Sequence, residues 1–426
     1  QWITYQGETL KRNTPYYWKV KVYTHTNETD WSEPAFWSMG LLNEADWQGQ
    51  WIGLDHPAPG DSETQWSRLA ARYLRKEFAL TKEVKRATVH IAGMGLYELF
   101  INGQRIGEQV LAPAPTDYRK TILYNTYDVT PQLQKENAIS VILGNGRFYT
   151  MRQNYKPYKI PTFGYPKLRL NLIIEYTDGS RQTIASDISW KLTTEGPIRS
   201  NNEYDGEEYD ARKELGDWNR TGYDDTNWIP AGRVSIPSGT LRAQMMPGMK
   251  VTESLKPVSI RKQGDKQILD IGQTMAGWLR IRIKGQAGDS IRLRFAERLQ
   301  ADGEIFTKNL RDAHCTDIYV VSGREPQDAT WAPRFVYHGF RYVEISGYPN
   351  AKTEDFTAEV VDDEMAHTGT FTCSDETLNQ VLRNAFWGIR SNYKGMPVDC
   401  PQRNERQPWL GDHAMGSWGE SLFFNN

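Results

Sequence analysis

Hydrophobic and polar residues alternate in period two through most of the first 360 positions, the pattern of half-buried strands. Over residues 16–23, Trp18, Val20 and Val22 share one face, which predicts a strand; Thr26 to Asp30 supplies a turn and a second strand is expected near Trp37. From Lys167 to Tyr176, Leu168, Leu170, Leu172 and Ile174 fall on one face, and Asp178-Gly179 turns the chain. Leu99-Phe100-Ile101 runs into Asn102-Gly103, both residues tolerating the positive φ of a tight hairpin turn. Leu279, Ile281 and Ile283 alternate with Arg280, Arg282 and Lys284, and Ile291, Leu293 and Phe295 with Arg292 and Arg294. One buried and one wet face is the mark of antiparallel sheet, so these arginines read as solvated strand faces. The period changes near residue 374. Ser374 is a candidate helix cap with Asp375 and Glu376 behind it, and Leu378, Val381, Leu382, Ala385 and Ile389 then recur at helical spacing. A second helix is expected after Trp409, through Leu410, Ala414, Trp418 and Leu422.

This pattern predicts a multidomain, mainly β chain followed by the first helices of a helical domain. The expected units are 1–45, the closing strands of a fibronectin-III-like domain; 46–245, a jelly-roll β-domain with a carbohydrate-binding character; 246–360, a β-sandwich; and 361–426, the start of the helical domain. The chain begins at Gln1, and both ends read as cuts in a longer protein.

Composition narrows the function classes. With 51 Lys plus Arg against 53 Asp plus Glu the net charge is −2, which gives no footprint for nucleic acid. No apolar run approaches the roughly 18 residues of a membrane span. Aromatic residues make up 12% of the chain, ample material for packed cores. Three scattered cysteines and seven histidines form no zinc spacing, so no zinc is expected.

Candidate chemistry concentrates between the two predicted helices, from Asp399 to Asp412. Three carboxylates (Asp399, Glu405, Asp412), Arg403, Arg406 and Trp409 crowd into fourteen residues that Pro401 and Pro408 keep largely as loop. Asp412 is expected in the first turn of the following helix. Arginines beside a carboxylate favour its ionised form, so a proton-donating Glu405 requires desolvation or a second carboxylate nearby. An ordinary salt-bridged loop accounts for the same residue types, because structural ion-pair networks also perturb pKa values.

The segment Asp399-Cys-Pro-Gln-Arg403-Asn-Glu405-Arg-Gln-Pro-Trp409-Leu-Gly-Asp412 resembles the active-site signature of bacterial α-L-rhamnosidases, glycoside hydrolase family 78. The similarity extends over nearly the whole chain, through Trp51-Ile52-Gly53, Tyr97 to Gly103, Thr116-Asp117-Tyr118, Tyr204 to Arg212, Asp270 to Gln273 and Tyr337 to Tyr342. The resemblance implies that the helical domain is an (α/α)6 barrel. It implies that Glu405 is the general acid, that Asp399 and Asp412 bind rhamnose hydroxyls, and that Trp409 belongs to the sugar pocket. Arg403 is inferred to orient substrate from its place in the motif. The implied activity is inverting release of terminal α-L-rhamnose from oligosaccharides, polysaccharides or glycosides. The family's general base lies beyond Asn426, so the 426-residue chain is expected to be inactive alone. Asn404 stands where the family often has Asp, and Gln407-Pro408 where it often has Leu-Gly.

No cofactor is expected. Calcium in the N-terminal β-domain is an open alternative through the acidic run Glu203 to Asp210, although that run lacks the spaced ligands of an EF-hand. The expected partner is a carbohydrate bearing α-L-rhamnose, with no nucleic acid and no membrane span; oligomeric state is open. A polymer substrate favours the periplasm or cell surface. The competing reading is a non-catalytic carbohydrate-binding or scaffold protein built on the β-modules.

Overall fold

The computed structural model describes residues 4–62, 68–150 and 163–425. Strand is its main regular element, with helix confined to short turns until residue 376. A two-stranded hairpin (Pro15–Trp18 with Ala35–Ser38) comes first. Its first strand ends at Trp18, four or five residues before the alternation stops. Val20 and Val22 are exposed and hydrogen-bond only across the turn region, to Ser32 and Thr29. Alternation without a sheet to bury it does not sustain a strand.

Next come two sheets of seven and six strands that enclose one core. In the first, Lys167–Tyr176 lies antiparallel to Val84–Met94, with Leu170 opposite Ile91 and Leu172 opposite Val89. In the second, Arg72–Ala79 and Leu96–Ile101 flank Glu136–Gly144. The alternating Leu168, Leu170, Leu172 and Ile174 are all fully buried against Leu74, Leu99 and Val141 of the facing sheet. Each such side chain contributes about 1.5–3 kcal/mol on burial. At the hairpin tip Asn102 (φ 52°) and Gly103 (φ 82°) both take the positive φ that their pairing anticipates.

A ten-stranded sheet follows, built on the long strand Lys266–Arg282 with His338–Ser346 and Phe356–Asp363 beside it. Ile291, Leu293 and Phe295 point into its core, while Arg292 and Arg294 are exposed. Two strands from earlier in the chain, Ile198–Asn202 and Gly206–Asp210, join this sheet through a parallel pairing of Glu208 with Ile318. The two β-units therefore interlock, and the sheet recruits residues well before 246. The acidic run spans the turn between these strands and the second of them, and three of its members are held at the join. Glu207 is buried and accepts from the Arg334 and Phe335 amides, Glu208 pairs with Arg68, and Asp210 with Arg212.

Two α-helices close the chain, α1 (Glu376–Ser391) and α2 (Leu410–Glu420). The cap of α1 is Asp375 rather than Ser374: its carboxylate accepts from the Thr377 and Leu378 amides, which a carboxylate does more strongly than a hydroxyl. The C-terminal end of α1 docks on the ten-stranded sheet through buried Arg390, which pairs with Asp362 and Glu253 at 2.6 Å each. Leu378 and Val381 of its apolar stripe, like Met415 and Trp418 of α2, are exposed. Two helices are present; the complete barrel is not among the described residues.

Candidate active site

The segment from Cys400 to Trp409 leaves α1 behind, crosses the surface of both β-units and enters α2. Its anchor is Arg406, fully buried at φ 49°. The guanidinium lies over the rings of Tyr337 (4.5 Å) and Tyr204 (5.4 Å), and its Nη1 donates to the Tyr337 carbonyl at 3.0 Å. Arg147, from the first β-unit, donates to the Arg406 carbonyl, and the Tyr204 hydroxyl to the Glu405 carbonyl at 3.4 Å. On the other flank the Cys315 thiol contacts the Gln402 carbonyl at 3.1 Å. Gly339 makes the close approach possible. A Cβ there would lie 2.8 Å from Cγ of Pro401 and 3.0 Å from Cβ of Gln402, inside van der Waals contact.

This clamp brings four of the five sequence-predicted residues into one cluster. Glu405 is 8% exposed. Its Oε2 accepts from Arg403 at 3.0 Å (Nε) and pairs with Nη2 of the same guanidinium at 2.8 Å. Its Oε1 accepts the Trp409 indole N–H at 3.1 Å. Arg403 reaches on to Asp399 at 3.2 Å. Asp399 is held in turn by the Gln407 amide, at 2.6 Å. Asp412 stands apart, exposed in the first turn of α2, where the positive end of the helix favours it. It joins Asp399, Trp409, Tyr393 and His413 around a cavity of about 250 Å³. His413 Nδ1 lies 3.3 Å from Glu420.

A residue that the motif could not disclose completes the cluster. Arg311, from the ten-stranded sheet's loops, places Nη1 2.9 Å from Oε2 of Glu405. Behind Arg403 lies Glu297, whose carboxyl burial raises above the usual range, with Arg403 among the charges opposing that rise. Neither residue shares a sequence neighbourhood with Glu405, so no local pattern announces them.

Ligand atoms of Asp399, Cys400 and Glu405 lie within 4.8 Å of one another, a grouping that a metal ion could in principle occupy. Both carboxylates are already paired with Arg403, and burial pushes the Cys400 thiol up to about 11. A cation would have to displace the guanidinium and deprotonate that thiol. The cluster suits proton transfer and hydroxyl recognition better: a dry carboxyl with one fully hydrogen-bonded oxygen, a second carboxylate, and an indole at the edge of a small polar cavity. A larger cleft of about 800 Å³ lies elsewhere, where the two β-units meet beside Tyr209, Tyr319 and Trp331, and holds none of the motif residues.

Four family models match the chain. They are described as an N-terminal immunoglobulin domain of the Rha78A type (1–43), an α-L-rhamnosidase N-terminal domain (82–253), a bacterial α-L-rhamnosidase concanavalin-like domain (260–362) and a bacterial α-L-rhamnosidase six-hairpin glycosidase domain (366–426). Among curated relatives, an α-L-rhamnosidase of Formosa agariphila is 38% identical over 97% of this chain and 46% of its own length. One of Streptomyces avermitilis is 37% identical over 91% of this chain and 37% of its own length. Among solved structures, an α-L-rhamnosidase from Dictyoglumus thermophilum superposes with a TM-score of 0.90 at 38% identity, over 99% of this chain and 48% of that one. The Streptomyces avermitilis enzyme complexed with L-rhamnose gives 0.89 at 25% identity, over 99% and 56%. The chain spans about half the length, or less, of the curated relatives it matches.

Proposed function

The chain belongs to the bacterial α-L-rhamnosidase family, and from that premise we propose that its Asp399–Asp412 segment is the acid half of an inverting glycosidase site that releases terminal α-L-rhamnose. Glu405 is the general acid. The observation that carries this reading is the asymmetry of its two oxygens. Oε2 takes donors from both Arg403 and Arg311. Oε1 accepts the neutral indole N–H of Trp409 rather than a cation, and so is the oxygen on which a transferable proton would ride.

The arginines then have a chemical purpose. When the proton passes to the glycosidic oxygen, the charge left on the carboxylate is met at once by two cations already in place, so little reorganisation accompanies the step. Asp399, oriented by Arg403 and the Gln407 amide, offers its carboxylate to sugar hydroxyls; Asp412 serves the same purpose from the rim of the cavity, and Trp409 supplies an apolar ring face. Asp399 is not the second catalytic carboxylate. An inverting pair stands roughly 6.5–9.5 Å apart to admit a water, whereas Asp399 and Glu405 approach within 4.8 Å. The base must therefore come from another element, as expected of a site completed within an (α/α)6 barrel, and this stretch alone should not turn over substrate.

The reading requires no cofactor, since two carboxyl groups suffice for inversion. A rhamnose-bearing glycan is the proposed partner, encountered in the periplasm or at the cell surface. The test is L-rhamnose release from an alkyl α-L-rhamnoside, whose leaving group needs a proton, by the protein that carries this chain, with the product anomer followed by NMR. The unaltered enzyme is expected to form the β-anomer first, and Glu405→Gln to lose turnover. Full activity in Glu405→Gln would remove Glu405 from the reaction, and retention of the α-anomer would remove inversion.

A further inference from the structure

We propose that Arg311, contributed by the β-sandwich and not by the helical segment, is a positioning residue for the acid: it pins Oε2 of Glu405, so that the proton is held on Oε1 and released across a range of pH that this contact helps to define. The proposal rests on the reading of Glu405 as general acid.

Three neighbouring contacts show that the 305–315 segment is built against the site rather than merely lying near it. Asn309 donates to Glu297 at 3.0 Å, Arg311 pairs with Glu405 at 2.9 Å, and the Cys315 thiol meets the Gln402 carbonyl at 3.1 Å. Two of these residues hold costly backbone conformations: Arg311 at φ 59°, ψ −117° and Cys315 at φ 43°. Arg406, across the seam, is a third at φ 49°. Non-glycine residues in this region are strained and persist where surrounding contacts over-determine them. The Arg311 side chain, about 40% exposed, reaches across to the neighbouring segment.

The charges facing Glu405 come from every element packed on it. Its own segment supplies Arg403, Asp399 and the Cys400 thiol; the β-sandwich supplies Arg311, with Glu297 acting through Arg403; the first β-unit supplies Tyr204, which binds the Glu405 carbonyl rather than its carboxyl. Arg403 is shared between Asp399 and Glu405, so its charge is divided. Arg311 meets Glu405 from a different element, so removing it leaves the Arg403 bridge between Asp399 and Glu405 in place.

The experiment is the pH dependence of kcat/KM for an alkyl α-L-rhamnoside, measured on the protein carrying this chain with Arg311→Gln and Arg311→Lys. In Arg311→Gln the acid loses a cation, so its protonated form persists to higher pH. The basic limb should move up by roughly half to one pH unit, the lower part of the usual range because the contact is partly exposed. Arg311→Lys keeps charge but not the fork, and should recover part of the shift. If Arg311→Gln is not obtained folded, Arg311→Lys alone decides, with a smaller upward shift. A uniform fall in kcat with the limb unmoved would reduce Arg311 to a structural contact and overturn the inference. Glu405→Gln separates the two levels: an inactive Glu405→Gln with an unmoved Arg311 limb removes only this inference, whereas an active one removes the function it rests on.

Discussion

Replacing Arg406 with Met tests how the candidate loop is held. Met preserves much of the buried volume and removes the charge, the fork and its hydrogen bonds. The lost Nη1 bond to the Tyr337 carbonyl is charge-assisted and contributes about 1.5–3 kcal/mol. The stacking on Tyr337 and Tyr204 adds about 1–2 kcal/mol for a desolvated guanidinium. Against these stands the cost of keeping a fully buried cation, which Met does not carry, about 1–2 kcal/mol once the tyrosines and the nearby Glu203 are allowed for. The net expectation is about 2–3 kcal/mol, felt locally first, because the contacts tie the loop to the β-units rather than the β-units to each other. Hydrogen exchange followed by mass spectrometry over residues 399–409 reads this directly. The Gln407 amide is bonded to Asp399 at 2.6 Å, and its exchange should accelerate about thirty- to a hundredfold at 1.4 kcal/mol per decade. Peptides from the strand Lys167–Tyr176 should be unchanged. Unaltered exchange over 399–409 would show that the stacked guanidinium is not the anchor.

Two further perturbations address the frame around the site. Burial raises the Glu207 carboxyl to about 8, so the folded state holds a proton that the unfolded chain releases near 4.5; its contribution to stability is full below about pH 4.5 and is lost as pH rises toward 8. Glu207→Gln should therefore flatten the decline of Tm between pH 5 and 8.5 relative to the unaltered chain, measured by calorimetry, and an unchanged slope would contradict the buried, protonated assignment. Gly339→Ala inserts a Cβ within 3 Å of Pro401; a cost of about 1–3 kcal/mol is expected from overpacking. It should weaken L-rhamnose binding, read by calorimetric titration, while a variant that bound sugar as before would show that the loop can yield.

Local features were readable where local forces decide them. The fully buried leucines of Lys167–Tyr176, the Asn102-Gly103 turn and the position of α2 all follow from period and turn chemistry. So did the concentration of Asp399, Arg403, Glu405 and Trp409, because that cluster is nearly contiguous. Errors arose where the outcome depended on partners distant in sequence. The alternation at 16–23 continues past the strand that forms, since no sheet covers Val20 and Val22. The strand Gly206–Asp210 crosses into the ten-stranded sheet by pairing with residues more than a hundred positions later. Arg311 lies about a hundred residues before Glu405 and carries no motif, and Ala296-Glu297, though part of the resemblance, is given no place beside Glu405 by it; only the docking of the loop against Gly339 and Cys315 brings the two residues in.

The most direct measurement of the acid role is the response of Glu405→Gln to leaving group. A dinitrophenyl α-L-rhamnoside departs without protonation, whereas an alkyl rhamnoside needs the proton. With Glu405 as the acid, Glu405→Gln should lose about 10²–10⁴ in kcat/KM on the alkyl substrate and far less on the activated one. An equal loss on both substrates would mean that position 405 shapes the pocket and that the proton comes from elsewhere.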